Sequence, residues 1–203
     1  MATETVAVTA RTSLEAMNSI LALTGNSPVT DYNDTTNLDV IQIRMVIEET
    51  SLEVQEDSWD FNREYDIKWS PTNDEIVLTT VMTGTGYTPE YAGRIDFLAH
   101  KNKGKDLIIR DGKVYDKTNN TFEITHDVYV DIVWYLPWAD LPNDIRYYIT
   151  MSAARKFNAR RQGSDMIDQM LAEQERKAFS RARAADMDRG DYNALRYSRA
   201  LMR

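Results

Sequence analysis

The chain has 203 residues, with 24 Lys and Arg against 32 Asp and Glu and a net charge of −8; 42% of it is hydrophobic and 28% charged, a globular balance that excludes wholesale disorder. It contains no Cys and two His, His100 and His126, which excludes disulfides, thiolate zinc sites and a cysteine nucleophile. No stretch approaches the run of about eighteen apolar residues that a bilayer span needs, and the N-terminus lacks the basic and apolar regions of a secretory signal, so a soluble chain is expected.

The charge is unevenly placed. Residues 1–150 carry 12 basic and 25 acidic side chains, whereas residues 151–203 carry 12 basic and 7 acidic. A basic end on an acidic body fits either a C-terminal quarter that meets a different partner, because surface potential biases encounter and specificity, or a solvated helix of mixed charge.

Residues 1–11 are polar and read as an arm. A helix is predicted from Thr12, because Thr12 and Glu15 have capping-box spacing and Leu14, Met17, Ile20 and Leu21 share one helical face; Gly25 ends it, and Pro28 cannot continue it. A second helix is predicted from about Asn37 to about Ser58. Two apolar rows run along it, Leu38, Ile41, Met45 and Leu52 in one and Val40, Ile43, Ile47 and Val54 in the other. A surface helix needs one stripe, so a two-sided helix must be covered twice, either entirely within its own chain or by its own domain and a neighbouring subunit. Leu38, Val40, Ile43, Ile47 and Val54 are therefore the candidates for core or subunit packing.

The period then changes from helical to alternating. Tyr65, Ile67 and Trp69 alternate with polar residues as in a half-buried strand, and Glu75–Val81 reads as a second β-rich run. Residues 82–93, with Gly84, Gly86, Pro89 and Gly93, read as a loop. Asp106–Arg110 and Lys113–Tyr115 flank Asp111-Gly112, a strong hairpin signal, and Phe122–Ile124 and Val128–Trp134 are predicted as further strands. Helical spacing returns at Leu141, Ile145, Tyr148, Ile149, Ala153 and Phe157, with Pro142 in the first turn. Gly163-Ser164 breaks and recaps the chain, and Ile167, Met170, Leu171, Gln174, Ala178 and Ala182 line one face of a last helix that Gly190 is expected to end. The reading is an α+β fold: an antiparallel bundle of about four helices, residues 1–61 and 137–190, with an inserted antiparallel β region at 62–136 and an extended tail at 191–203.

No phosphate loop, zinc-protease helix or nucleophile elbow occurs, and no cofactor is expected. Gly84-Thr85-Gly86 is too short for a dinucleotide fingerprint. His126, Asp127 and Asp131 are close in sequence, but on one strand His126 points away from the two carboxylates. Abundant acids leave a glycan hydrolase open as an alternative, since that chemistry needs two carboxylates at a suitable separation. A DNA-binding module is the other alternative: Arg155, Lys156, Arg160 and Arg161 cluster, and arginines recur to the end, but the acidic body opposes phosphate binding.

The run Leu14-Glu15-Ala16-Met17-Asn18-Ser19-Ile20-Leu21-Ala22-Leu23-Thr24-Gly25-Asn26-Ser27-Pro28-Val29 resembles the opening of the tail tubular protein A family of T7-like short-tailed bacteriophages. Three further matches follow in the same order: Trp59-Asp60-Phe61-Asn62, Val114-Tyr115-Asp116, and Leu141-Pro142 leading to Tyr147-Tyr148-Ile149 and Ala154-Arg155-Lys156-Phe157-Asn158-Ala159-Arg160. They span most of residues 12–162; the 82–105 loop and the segment beyond Arg161 match less well. The resemblance implies a structural head-to-tail adaptor of the virion, twelve copies of which form a ring between the portal protein and a tail nozzle, with viral DNA passing through without specific binding and no membrane contact. On that reading the arginine-rich end, Arg181, Arg183, Arg189, Tyr192, Leu195, Arg196, Tyr197, Arg199 and Arg203, is the expected portal-docking segment.

Overall fold

A computed structural model describes residues 12–83, 86–161 and 163–201, with side chains up to Gly190. Its helices and antiparallel strands make an α+β protein, divided into two compact units. One unit comprises residues 1–54 with 137–203, and the other Gln55–Leu136.

In the first unit α1 (Ser13–Leu23) begins at Thr12, whose hydroxyl accepts from the Glu15 N–H while the Glu15 carboxylate accepts from the Thr12 N–H. The chain leaves α1 through Gly25 at φ +78°, a conformation that glycine adopts without a Cβ penalty. α2 (Leu38–Glu56) follows, its last two residues counted with the other unit. α4 (Asn143–Arg160) places Pro142 at its N-cap, one position before the first turn, where a missing N–H still costs nothing. The Ser164 hydroxyl then accepts from the Met166 N–H at the start of α5 (Asp165–Leu201). The core of this unit joins all four helices: Met17, Ile20 and Leu21 from α1, Val40, Ile43, Val46 and Ile47 from α2, Ala153, Ala154 and Phe157 from α4, and Leu171 from α5.

Gly190 does not end α5. The helical backbone runs through it to Leu201, so the expected extended tail is helix as far as it is described. One interior glycine costs about 1 kcal/mol relative to alanine, less than breaking and recapping a long helix.

The second unit holds β1 (Arg63–Trp69), β2 (Ala92–Phe97) and β5 (Val128–Trp134) in an antiparallel sheet of order β1-β5-β2, with β3 (Leu107–Arg110) and β4 (Lys113–Asp116) as a separate hairpin. Asp111 at φ 51° and Gly112 at φ 70° form its two-residue turn, the left-handed pair that a twisted hairpin favours. Side chains from both sheets share a core that includes Trp69, Leu107, Val114, Ile124, Val128, Val130, Ile132 and Trp134.

Three expectations for this unit fail. Glu75–Val81 is not a strand: its pairing is limited to the isolated bridges Thr72 to Glu75 and Val77 to Lys113, and Leu78–Val81 forms the short helix α3. Ile76, Leu78 and Met82 are buried: the first two are two apart, as in a strand, and Leu78 and Met82 are four apart, as on a helical turn, so the period changes at Leu78. Residues 82–93 do not all form a loop, because Ala92 and Gly93 begin β2, a strand without a strong alternating signal that forms by pairing with β5. Gly93 is required there, since a Cβ would lie 2.5 Å from the Tyr135 ring. Phe122–Ile124 is not a strand either; Phe122 packs edge-on against Tyr115, and the Ile124 N–H donates to the Asp74 carbonyl.

Two buried polar residues fix the sheet. Asp131 accepts from the Asp66 N–H at 2.9 Å and from Arg63 at 3.1 Å, holding the β1 bulge where Asp66 has φ 58°. Asn102, fully buried, accepts from the Tyr129 N–H and donates to the Tyr129 carbonyl, both at 2.8 Å, extending the β5 ladder with a side chain.

Candidate interaction surfaces

The two apolar rows of α2 have different fates. Val40, Ile43, Ile47 and Val54 are all buried within the chain itself. The other row stands out: Leu38 is 64%, Met45 58% and Leu52 47% exposed, at intervals of seven residues that keep them on one stripe. Of the five expected packing residues, four therefore lie inside the monomer and Leu38 alone is available outside it. Met45 and Leu52 are the surface partners that the expected set omits, although their spacing already marked them in sequence.

The basic cluster of α4 is engaged within the unit. Arg161 pairs with Asp39 at 3.0 Å, Arg160 with Glu49 at 2.6 Å, and Lys156 with Glu53, a ladder of ion pairs between α4 and α2. Arg155 bridges Asp168 and Glu175 on α5, both at 3.1 Å, and these two carboxylates raise its guanidinium above its ordinary value. The hydrogen bond from Arg160 is the main reason that Glu49 ionises below the usual range. These cations are thus already matched by acids, which removes the basis for reading them as a phosphate-binding patch.

On α5 the expected docking residues are less uniform. Arg181 pairs with Asp144 at 2.7 Å yet stays largely exposed, and Arg183 lies 5.4 Å from the Phe179 ring centroid. Arg189 is half-buried, with one guanidinium nitrogen buried and without a hydrogen-bond partner. Tyr192, Leu195, Arg196, Tyr197 and Arg199 fall on the α5 backbone with their side chains outside the description, and Arg203 lies outside the described residues. Exposed Met166, Met170 and Met187 add apolar surface to the same helix.

His126, Asp127 and Asp131 do not converge. Asp127 pairs with Lys68 at 3.2 Å and Asp131 serves the β1 bulge, while His126 has a buried Nε2 without a partner. Burial, then the nearby Lys105 and Lys103, push the His126 imidazole below its ordinary value. Asp34, Glu49, Asp116, Asp127 and Glu173 are all held below the ordinary carboxylate range, the opposite of what a glycosidic general acid requires. Among the described residues no group of three acidic or imidazole side chains is placed to hold a metal ion.

A protein-family model described as tail tubular protein matches residues 14–192. The chain belongs to the tail tubular protein family. Membership makes it a structural component of a bacteriophage tail and places it in the virion. The match reaches into both structural units and along α5 as far as residue 192, beyond the four sequence motifs. No curated protein matches the chain. Among the described residues no helix is long and apolar enough to cross a membrane.

Proposed function

We propose that this tail tubular protein is the head-to-tail adaptor of its virion: a ring of copies, twelve by family resemblance, that joins the portal protein to the tail nozzle and surrounds the DNA ejection channel. The observation that carries this reading is the exposed Leu38, Met45 and Leu52 stripe on a helix whose opposite face is fully used by the monomer. A ring contact is heterologous, so each copy presents two different surfaces to its two neighbours, and an apolar stripe left over after folding suits one of them. The acidic balance of residues 1–150 favours passage of DNA over retention, because phosphate binding is mainly electrostatic. The end of α5, with Arg181, Arg183 and Arg189 and the arginines beyond, is the portal-facing element in this reading.

The test is to mix the purified protein with its cognate portal and follow assembly by native mass measurement and electron microscopy. A stoichiometric complex is expected, and its absence overturns the adaptor reading. Deleting Asp191–Arg203 should weaken portal binding while leaving the melting of both units unchanged. Portal binding equal to that of the intact chain removes the C-terminal segment from the interface.

A further inference from the structure

The second unit contains two free strand edges beside one apolar groove. β2 pairs with β5 on one side, and β3 pairs with β4 on one side; among the described residues no strand pairs with the other edge of either. The Leu98 N–H donates to the Tyr129 carbonyl, so antiparallel alternation turns the backbone groups of Ile95 and Phe97 to the free edge. The same alternation, counted from the Arg110 and Lys113 pair at the hairpin turn, turns those of Leu107 and Ile109 outward on β3. These four residues and Leu78 line a groove of about 490 Å³, bordered by Ile108. Free edges over an apolar floor are sites of strand addition, and proteins ordinarily cover them.

The chain supplies a matching segment. Residues Thr3 to Thr9 read Thr-Glu-Thr-Val-Ala-Val-Thr, β-branched at five of seven positions, with Val6 and Val8 on one side of an extended strand. Seven extended residues span roughly 23 Å, enough to follow the six residues of β2, and Ala10-Arg11 remain as a connector to Thr12. We infer that this N-terminal segment of one copy adds as a strand to the β2 edge of a neighbouring copy, with Val6 and Val8 against the groove floor. The segment leads into the helical unit and the groove lies in the β unit. In a closed ring every copy offers one arm and one groove, so each β2 edge receives one arm. The inference rests on the ring reading for its source of neighbours.

The absence of Cys allows a direct test with full-length single-cysteine variants. Val8→Cys protein is mixed with Ile108→Cys protein, or with a control bearing Glu123→Cys at an exposed position outside the groove, and disulfide heterodimers are counted on non-reducing gels. The mixtures are oxidised both free at high concentration and assembled on the portal. Heterodimer with Ile108→Cys is expected in about tenfold excess over the control, and Val6→Asp added to the arm should abolish that excess, since losing one buried valine costs about a factor of ten in association. In parallel, the Ile95 and Phe97 amides should exchange more slowly with solvent in the assembled state than in the free protein. Assembly on the portal without an excess at Ile108, or with a cross-link confined to single chains of a double-cysteine variant, overturns the arm exchange and leaves the adaptor reading standing. Failure of the unsubstituted protein to assemble overturns the adaptor reading instead, while an excess at Ile108 in free solution still supports the arm.

Discussion

Two substitutions two residues apart on α2 separate its two faces. Ile43 is fully buried in the helical core, so Ile43→Ala should cost about 2–5 kcal/mol from lost burial and the residual cavity. For a chain of this size, a loss near 3 kcal/mol lowers the melting temperature of the helical unit by roughly 6–12 °C. Met45 is 58% exposed, so Met45→Ala should change monomer stability by no more than about 0.5 kcal/mol. Its effect belongs to assembly. Full burial of a methionine is worth about 1.5–3 kcal/mol, and the 58% still to be covered sets an upper figure of about 0.9–1.7 kcal/mol per subunit contact. That corresponds to weakening of each contact by up to about five- to twentyfold, repeated at every interface of a ring. Thermal unfolding by circular dichroism reads the first effect, and titration of ring formation on the portal reads the second. If Met45→Ala melts as early as Ile43→Ala, or if it assembles with undiminished affinity, the division of the helix into an inner and an outer face is wrong.

Asn102→Ala removes both hydrogen bonds to Tyr129 and orphans its backbone N–H, while the Tyr129 carbonyl keeps the Leu98 N–H, with an expected cost of about 1–3 kcal/mol in the β unit; a loss below about 0.5 kcal/mol in denaturant unfolding contradicts the role given to this side chain. His126 titrates below the ordinary value of 6.5, so the folded state binds fewer protons than the unfolded one once pH falls below 6.5, and stability should decline from there toward the folded pKa. His126→Gln should flatten that slope, while the loss from Asp116 and Asp127 begins only as pH approaches the ordinary carboxylate value of 3.8; an unchanged slope between pH 6.5 and 4.5 refutes the assignment. Gly190→Ala should raise helicity and add about 0.5–1 kcal/mol to α5, whereas a loss of helicity indicates that the chain turns at Gly190 after all.

The features legible before folding are those with local causes. The Thr12 and Glu15 capping box, the Asp111-Gly112 turn and the Ser164 cap are each set by residues within a few positions of one another, and each appears where its chemistry places it; the strand at Tyr65, Ile67 and Trp69 forms too, but the bulge at Asp66 breaks its alternation and leaves Tyr65 exposed. The two apolar rows of α2 were equally legible, and so was the C-terminal excess of cations. Tertiary pairing decided the rest. β2 exists because β5 offers it a ladder, not because Ala92–Phe97 favours a strand. Glu75–Val81 and Phe122–Ile124 are β-prone segments whose backbones are instead held by isolated contacts at the hairpin and at Asp74. Periodicity cannot say which row of an apolar helix finds a partner in its own chain, because both rows repeat with the same spacing. The arginines of α4 illustrate the same limit for charge: their number was fixed by composition, but only the fold brought Asp39, Glu49, Glu53, Asp168 and Glu175 against them and converted an apparent binding patch into internal ion pairs.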